Sequence, residues 1–578
     1  MKKYILYSMF AVILSVIGFT ACTDSFLDHD PDERTEIDTP DKAIKLLTAC
    51  YPDANYGWVC EMTSDNIMDL NTDHLPASTQ SKQETTRYNL SSYGRQDDEL
   101  YRFEPVKSST SSDTPAAVWN SDYQTINTIN EVLQAIDNMI KGGEELTDKL
   151  KAARAEALLL RSYTHFILVN IFSQVYKNDE QSRSDIGVPY VTEPMTKVDT
   201  HFERGNVTET YDKIRKDLEA GLKDISDVNY EMPKWHFTVN AAHAYAARFY
   251  LYTREWNKVI EHANAVLGTD NASLLPKLFD YAPLDDCMYL DDFANVWQSP
   301  YIYNNILLID TYSTVARHAR YRYEQGSTTA RAIYYHNAPM WSRWIANPSI
   351  FVSGLFGGRD YGWYPSWIGE QFQYTDKVAG IGYAHTIRRE FWAMELLLER
   401  AEAKIMVGDY EGAADDLITY QTSTTNFSET NKTTYNVTPL TKDIILSWYA
   451  NDRSENKSNT NYNCFNDWNF VTNVSPDYII PAEAVPYMNC LNYWRRYETN
   501  FTGLRFFDLK RWGMEWTHVA YVNGANVDYT MTWNDPRRAL EVPEDAIAAG
   551  LEPSRPQIST NTESTEERES FESFFSID

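Results

Sequence analysis

The chain has 578 residues, a formal net charge of −30 and a 14% share of aromatic residues. An acidic surface repels phosphate backbones, so this charge argues against nucleic-acid binding. The length corresponds to about three or four average domains and allows an extensive buried core. Beyond the N-terminus no apolar run is long enough to span a membrane, and we expect the body to be soluble.

The N-terminus has the features of an export signal. Two lysines precede an apolar run over residues 4–19, and Ala21 and Cys22 follow it. Ordinary cleavage prefers a small residue three positions before the new N-terminus, but Phe19 is large. The segment over residues 1–21 therefore resembles a bacterial lipoprotein signal that leaves an acylated Cys22 as a membrane anchor. The alternative is a plain secreted protein with a chance cysteine.

Five further cysteines remain after Cys22: Cys50, Cys60, Cys287, Cys464 and Cys490. An exported protein permits disulfides, and Cys50 with Cys60 would close a short loop. The number is odd, the chain is large and no CxxC motif occurs, so we expect buried free thiols and no zinc or redox site.

Apolar periodicity predicts three long helices in the first half of the body. The first runs from Trp119 to a stop at Gly142 and Gly143, and the second spans roughly residues 148–176. The second is apolar almost all round, which is typical of a helix buried among others. The third begins near Asn206, and Glu209 three residues later predicts a capping box.

Two later segments resemble each other at an offset of 154 residues. Ala247 is followed nine residues later by Trp256, and Ala401 is followed nine residues later by Tyr410. Small or apolar residues then recur at helical spacing in both segments, and Gly408 lies in the second turn. This pattern is typical of tetratricopeptide helix–turn–helix units, although any antiparallel helix pair could produce two matches.

Irregular inserts separate these helices, at about residues 52–118, 268–385 and 421–478. Long loops on a rigid scaffold are where binding sites usually lie. The acidic tail over about 556–578 is expected to be disordered or loosely attached. We therefore predict one mostly α domain over 22–578, a tetratricopeptide-like helical scaffold with long irregular loop insertions.

One insert contains the unusual stretch RDYGWYPSWIGEQF at 359–372, where four large rings surround a glycine and a proline. The rings follow no regular period, so they could form core, a partner interface or a platform for sugar rings. We predict a ligand platform and expect Trp363→Ala with Trp367→Ala to abolish binding of the cognate glycan while leaving the melting temperature nearly unchanged. The predicted ligand-binding residues are Trp363, Trp367, Tyr361, Tyr364, Trp341, Trp344, Trp297 and Tyr301.

No catalytic motif is present in the sequence. There is no GxSxG elbow, phosphate-binding loop, HExxH motif or EF-hand loop. The acidic pairs at 285–286 and 291–292 could bind a cation, but exposed acidic turns are commoner, and we predict no metal and no cofactor. A glycosidase needs two carboxylates on opposite sides of a bond, and among 82 acidic residues the sequence does not single out such a pair.

The stretch NYWRRYETNFTGLRFFDLKRWG at 492–513 concentrates arginines around a glycine. They could clamp an anion or form a buried network with Asp508 that fixes a helix end. The second interpretation is favoured.

Several of these segments, in this order, resemble the SusD/RagB family of nutrient-binding outer-membrane lipoproteins. They are the CTDSFLD start, ARAEALLLRSYTHFILVNIF, VTETYDKIRKDLEAGL, AAHAYAARFYLYTREWNKVIEHANAVL, MELLLERAEAKIMVGDYEGAADDL, FTGLRFFDLKRWG and EVPEDAIAAG. The resemblance extends from Cys22 to about Gly550. Thr502 departs from it, because the family usually has an acidic residue there, which puts one local ion pair in doubt.

The resemblance implies a lipid-anchored, non-enzymatic lid at the outer membrane, facing the exterior. Such a lid captures glycans or peptides for a SusC-like TonB-dependent barrel. Because the family's binding loops vary, the resemblance assigns no ligand-binding residue. The alternatives are a helical-toroid glycosidase or polysaccharide lyase, and a scaffold that binds only protein.

Overall fold

The computed structural model describes residues 37–72, 89–107, 111–195, 202–278, 282–287, 289–326, 329, 333, 350–352, 363–425, 439–450 and 474–556. Helices predominate within these residues, and the strands form four small antiparallel sheets. The predicted mostly α scaffold with long insertions is therefore confirmed. Cys22, the signal segment, Cys464 and the acidic tail after residue 556 lie outside the described residues.

Among the described residues, six helices form the N-terminal part of the scaffold. They are α1 (Pro40–Leu47), α2 (Tyr56–Glu61), α3 (Arg95–Tyr101), α4 (Pro115–Lys141), α5 (Asp148–Phe172) and α6 (Val207–Asp224). All three predicted helices are confirmed, and the Asn206 side chain and Glu209 form the expected capping box. Helix α5 packs between α4 and α6 and is buried on nearly all sides, because its second half has almost no polar face.

The described residues in the middle of the chain contribute seven more helices. They are α7 (Val239–Tyr252), α8 (Trp256–Leu267), α9 (Asn271–Leu274), α10 (Leu290–Trp297), α11 (Val315–His318), α12 (Ala393–Met406) and α13 (Tyr410–Thr424). The pairs α7–α8 and α12–α13 are the two predicted helical hairpins, and α8 packs against α12. Arg254 and Gly408 lie at equivalent turn positions, 154 residues apart, with φ of 61° and 83°.

The described strands are β1 (Met68–Asp69), β2 (Asn305–Thr311), β3 (Tyr323–Glu324), β4 (Ile350–Val352), β5 (Trp363–Pro365), β6 (Gln371–Asp376), β7 (Ile381–Trp392), β8 (Trp516–Val522) and β9 (Ala525–Met531). The largest sheet has the order β2-β7-β6. It lies in the insert that the sequence analysis expected to be irregular. Strand β2 is buried on both faces and β6 is exposed on both, so neither has the apolar–polar alternation of a half-buried strand.

The C-terminal helices complete the core and hold the arginine-rich stretch. They are α14 (Lys442–Trp448), α15 (Val485–Glu498), α16 (Leu504–Trp512) and α17 (Glu544–Ala548). Arg495 donates to both oxygens of Asp508 at 2.8 and 3.1 Å, and Arg511 donates to Asp508 at 2.8 Å. Arg511 also pairs with Glu402 of α12 at 2.6 Å. The structural interpretation of this stretch is confirmed, because its arginines bind buried carboxylates.

One continuous hydrophobic core extends from Ala43 to Val542. Cys50, Cys60 and Cys490 are buried in it as free thiols, and Cys287 is a half-buried free thiol. The expectation of free thiols is therefore confirmed for the four cysteines that the structure describes.

Candidate functional site

The eight aromatic residues predicted to bind ligand occupy different environments. Trp297, Tyr364 and Trp367 are buried, whereas Tyr301 is 86% exposed. The backbone of Trp363 forms part of β5, but its side chain lies outside the described residues, as do Tyr361, Trp341 and Trp344. Ligand binding by the exposed and undescribed members stays a prediction. The three buried rings could stack on a ligand only after a rearrangement of the core.

Trp297 and Trp367 are held in the core by specific contacts. Their rings meet edge to face at 5.4 Å, and the Trp297 indole donates to the Ser366 hydroxyl at 2.9 Å. The Trp367 indole donates to the Asn500 carbonyl at 3.0 Å. The Arg389 guanidinium lies 4.8 Å from the Trp297 ring centre and 5.2 Å from that of Trp367. A cation close to two indole rings, with both indole N–H groups satisfied, is a stable core arrangement.

Strand β7 connects this core to an exposed surface. Its last residues carry Arg388, Arg389 and Glu390 into the protein, where all three are buried. Its first residues pair with β6 to form a hairpin that projects from the scaffold, with Val378 99% exposed in the turn. Side chains near the hairpin are therefore positioned by a strand whose other end is fixed in the core.

One face of this sheet carries a tyrosine–histidine cluster, which consists of Asp310, Tyr312, Tyr383 and His385. Tyr383 and His385 are two residues apart on β7, and Asp310 pairs with the next residue of the same face, Ile387. The rings of Tyr312 and Tyr383 lie edge to face at 4.6 Å and 80°. Tyr312 is 41% exposed, so one side of this aromatic corner is open to solvent.

The polar groups of the tyrosine–histidine cluster are partly engaged with one another. His385 Nδ1 lies 2.5 Å from Asp310 Oδ1, and the Asp310 side chain remains 49% exposed. The interaction with the Tyr383 hydroxyl, followed by burial, raises the pKa of Tyr312 to about 12. Tyr312 is therefore a neutral phenol at physiological pH. The cluster presents an aromatic face beside hydroxyl and carboxylate groups.

The opposite face of the β6–β7 hairpin carries a second aromatic group, the hairpin pair Phe372 and Tyr374. The two rings meet at 4.9 Å and 74° and are 44% and 51% exposed. They lie opposite Ala384 and Gly382 of β7, and a Cβ added at Gly382 would come within 2.7 Å of the Phe372 ring. The pair offers apolar surface but few hydrogen-bonding groups.

A third exposed group brings two inserts together. Tyr93 meets Tyr321 edge to face at 5.1 Å, and Tyr321 is 41% exposed. Arg317, four residues before Tyr321, donates to Glu370 from Nε at 2.8 Å and from a second nitrogen. Because this ion pair is closed on itself, we regard the tyrosine–histidine cluster as the main candidate site.

The comparisons with known proteins agree with this architecture. Residues 25–251 match a SusD-like family model described as "Starch-binding associating with outer membrane". A SusD-like protein of Bacteroides ovatus is 22% identical over 261 residues, which cover 44% of this chain and 41% of that protein. The chain thus spans less than half the length of this relative.

Solved SusD superfamily proteins have the same fold over most of the chain. One from Bacteroides thetaiotaomicron superposes with a TM-score of 0.56 at 15% identity, covering 90% of this chain and 100% of that one. Another, from Bacteroides vulgatus, gives a TM-score of 0.55 at 17% identity and covers 90% and 99% of the two chains. The chain is thus SusD-like in sequence over residues 25–251 and has the SusD fold over about 90% of its length. At these identities the structural likeness establishes the SusD fold and no particular ligand.

Neither the tyrosine–histidine cluster nor the hairpin pair of this SusD-like chain was predicted from its sequence. A signal was present, because the stretches QFQYTD and GYAHT place aromatic residues at alternate positions, as strands with a ring-bearing face do. What the sequence could not reveal was that Tyr312, more than seventy residues earlier in the chain, packs against Tyr383.

Two negative observations also apply to the described part of the SusD-like chain. No group of three or more histidine, cysteine, aspartate or glutamate side chains there is arranged to hold a metal ion. No helix there combines the length and apolar character that a membrane span requires.

Proposed function

We propose that this SusD-like chain is a non-enzymatic lipoprotein that captures oligosaccharides and delivers them to a TonB-dependent barrel. The observation that carries the proposal is the exposed aromatic corner of the tyrosine–histidine cluster, bordered by the Asp310 carboxylate. The description of the matched family as starch-binding and associated with the outer membrane supports a carbohydrate ligand and that membrane.

The chemistry of the tyrosine–histidine cluster suits a sugar. Sugar rings have flat C–H faces that stack on aromatic rings, and their hydroxyl groups donate to carboxylates. Covering roughly 100 Å² of apolar surface contributes about 2.5 kcal/mol for each stacked ring. Two such contacts contribute about 5 kcal/mol before the cost of association, so stacking alone produces binding no tighter than roughly the millimolar range. That range suits a protein that must release its cargo.

Titration of the purified protein with soluble polysaccharides and oligosaccharides tests the carbohydrate function. Tyr312→Ala should weaken binding at least about tenfold, because it removes the exposed stacking face. Phe372→Ala is the matched control, since it removes a ring from the opposite face of the same hairpin. If Phe372→Ala weakened binding and Tyr312→Ala did not, the binding site would instead be the hairpin pair. Tyr301→Ala and Trp363→Ala test the extension of the platform that the sequence predicts.

A helical-toroid glycosidase or polysaccharide lyase is the enzymatic alternative. Incubating the bound glycan with the repurified protein separates the two functions, because a capture protein leaves the chain length of the glycan unchanged. Release of product in proportion to protein concentration would favour the enzyme. Binding of peptides in place of glycans would favour a peptide-capturing lid, and binding of neither would favour a protein scaffold.

The membrane anchor is proposed to be the acylated Cys22, with the body on the outer face of the cell. Cys22→Ala should leave the protein soluble after cell breakage, whereas the wild type should sediment with the outer membrane. Protease treatment of intact cells tests the orientation, because only an exterior body is accessible to the enzyme.

The barrel partner is proposed to dock on a surface formed by α4, α5 and α6. This surface has a cavity of about 280 Å³ whose lining includes Ile140, Leu146 and Leu158. Leu146 is 41% exposed, and Val228 and Met232 nearby in the fold are 52% and 45% exposed. The lining also includes the charged residues Asp137, Lys151, Arg154 and Asp224, so exposed apolar side chains lie beside polar groups here, as they do in protein interfaces. The wild type should copurify with a barrel in mild detergent, and Leu146→Glu should abolish this while Val407→Glu, in the α12–α13 turn, should not.

A further inference from the structure

The tyrosine–histidine cluster is surrounded by negative charge. Asp310 belongs to it and keeps about half of its side chain exposed while one oxygen accepts from His385. Asp53 approaches from the other side, since the Tyr312 N–H donates to the Asp53 carbonyl at 2.7 Å. The Asp53 carboxylate is exposed and accepts from the Ser121 hydroxyl at 2.5 Å. Asp53 and Asp310 both contribute to the raised pKa of Tyr312.

Lysines and arginines of the described residues do not engage the side chains of the cluster. Among the described residues, no lysine or arginine forms an ion pair or a ring contact with any of the four side chains of the cluster. Arg317, in α11, donates from Nε and from a terminal nitrogen to the two carboxylate oxygens of Glu370, the residue before the hairpin begins. Lys377 lies in the hairpin turn directly after Asp376. Within the described ranges, the acidic groups that border the cluster are therefore Asp310 and Asp53, and no lysine or arginine is paired with it.

From this arrangement we propose that the cluster accepts uncharged or positively charged glycans and rejects glycans that carry uronate or sulfate groups. The inference rests on the proposed carbohydrate function. A neutral hydroxyl can donate to Asp310 or Asp53, but an anionic sugar has to bring its charge close to both carboxylates. The net charge of −30 adds repulsion at longer range, which slows the approach of polyanions.

The test compares glycans that share a backbone and differ in charge. Soluble starch, dextran and inulin are titrated against the purified full-length protein together with their carboxymethyl and diethylaminoethyl derivatives. Methyl-esterified and de-esterified polygalacturonan form a further pair. Each titration is run at about 0.01 M and at about 1 M salt. The Debye length, over which charges are felt, is about 30 Å at the lower concentration and about 3 Å at the higher one.

We expect the acidic form of any bound glycan to bind at least about tenfold more weakly than its neutral parent at low salt. High salt should reduce this difference in affinity. Asp310→Asn should also reduce the difference in affinity, because asparagine keeps an acceptor for His385 and removes the negative charge. Asp376→Asn is the matched control, since it changes the net charge equally but lies about 13 Å along the strand from His385.

The outcomes separate the inference from the function on which it rests. Tighter binding of an acidic glycan than of its neutral parent would overturn the inference and leave glycan capture standing. If Asp310→Asn and Asp376→Asn reduced the difference in affinity between acidic and neutral glycans equally, the assignment of the repulsion to the cluster would be overturned. Absence of binding to glycans of every charge would overturn the proposed function itself. Circular dichroism of each variant establishes that it is folded before its titration is interpreted.

Discussion

Trp367 donates its indole N–H to the main-chain carbonyl of Asn500 across 3.0 Å, and its ring meets that of Trp297 edge to face. These contacts join the insert over 268–385 to the segment between α15 and α16. The ring that the sequence suggested as a ligand platform thus connects two parts of the core. Its removal would leave a cavity and an unsatisfied carbonyl.

We therefore expect Trp367→Ala to lower the free energy of unfolding by about 3–5 kcal/mol, the usual cost of removing a buried tryptophan. Urea denaturation measures this change. Tyr301→Ala is the control, because Tyr301 is 86% exposed and surface substitutions change stability by less than about 0.5 kcal/mol. A Trp367→Ala protein as stable as the wild type would show that the ring belongs to an adaptable surface. The double substitution Trp363→Ala with Trp367→Ala is likewise expected to be unstable.

The sequence was informative wherever local rules determine structure. The capping box of Asn206 and Glu209 and the 154-residue offset between the helical hairpins depend on neighbours a few residues apart, and both are present in the structure. The stretch over 363–368 was harder, because it changes from strand to 3₁₀ helix after Pro365. Whether its rings are buried depends on Asn500 and Trp297, and no local pattern contains that information.

The turn of the α12–α13 hairpin provides a second test, at Gly408. Its φ of 83° lies in the left-handed region, and an added Cβ would meet no atom within 4 Å. Any cost of substitution therefore comes from the backbone alone. Gly408→Ala should lower the free energy of unfolding by about 1–2 kcal/mol, and Gly408→Asn by less, because asparagine tolerates this conformation better. Thermal and urea denaturation measure the free energy of unfolding of the two variants. Equal losses for Gly408→Ala and Gly408→Asn would show that backbone strain is not the cause.

The equivalent residue of the other hairpin, Arg254, shows how the chain accepts a non-glycine residue at such a position. Its side chain donates to the Asp477 carbonyl at 2.8 Å and lies 5.0 Å from the Tyr478 ring centre. These contacts offset the strain of a φ of 61°.

His165 should make stability depend on pH. It is fully buried in α5, its Nδ1 lies 2.8 Å from the Arg161 carbonyl, and its Nε2 accepts from the Val191 N–H at 3.1 Å. Burial lowers its pKa from 6.5 to about 3. As the pH falls, His165 is therefore protonated at a higher pH in the unfolded chain than in the folded protein. The stabilising contribution of neutral His165 is complete above pH 6.5 and decreases by about 1.4 kcal/mol per pH unit between 6.5 and 3.

Urea denaturation at several pH values between 7.5 and 4.5, for the wild type and for His165→Gln, isolates this contribution. The wild type should lose about 2 kcal/mol more than the variant between pH 6.5 and pH 5. Taking the difference removes the effect of other groups, such as Glu61, whose pKa burial raises to about 7. Parallel stability curves for the two proteins would contradict the prediction.

Arg248 is the centre of a buried network of charges. Its guanidinium donates to Glu390 at 2.9 Å and to Glu395 at 3.1 Å, and Glu399 is also within 3.4 Å. Burial, and then the Glu395 charge, hold the pKa of Glu399 well above its usual range. Glu399 should therefore favour its protonated, neutral form, whereas the charges of Arg248 and Arg495 lower the pKa of Glu395 against the effect of its burial.

The protonation of Glu399 predicts that two substitutions in this network lower the free energy of unfolding by different amounts. Arg248→Met removes the cation that three buried carboxylates share, although Arg388 still pairs with Glu390 and Arg495 with Glu395, and it should lower the free energy of unfolding by about 3–5 kcal/mol. Glu399→Gln replaces a neutral acid with a neutral amide of the same shape and should change it by less than about 1 kcal/mol. Chemical denaturation at neutral pH compares the two, and a large loss for Glu399→Gln would mean that Glu399 is ionised in the folded protein.

The binding of sugar at Tyr312 can be divided into stacking and hydrogen bonding. Tyr312→Phe keeps the exposed ring and removes only the hydroxyl, so it should weaken glycan binding by about 0.5–1.5 kcal/mol, the net value of one hydrogen bond. Tyr312→Ala removes the stacking face as well and should cost about 2.5 kcal/mol more for roughly 100 Å² of lost contact. Because the pKa of Tyr312 is about 12, wild-type binding should not change as ordinary tyrosines ionise near pH 10. Isothermal titration at neutral pH and near pH 10 measures all three effects. Equal losses for Tyr312→Phe and Tyr312→Ala would assign the binding energy to the hydroxyl group and remove the aromatic corner from the site.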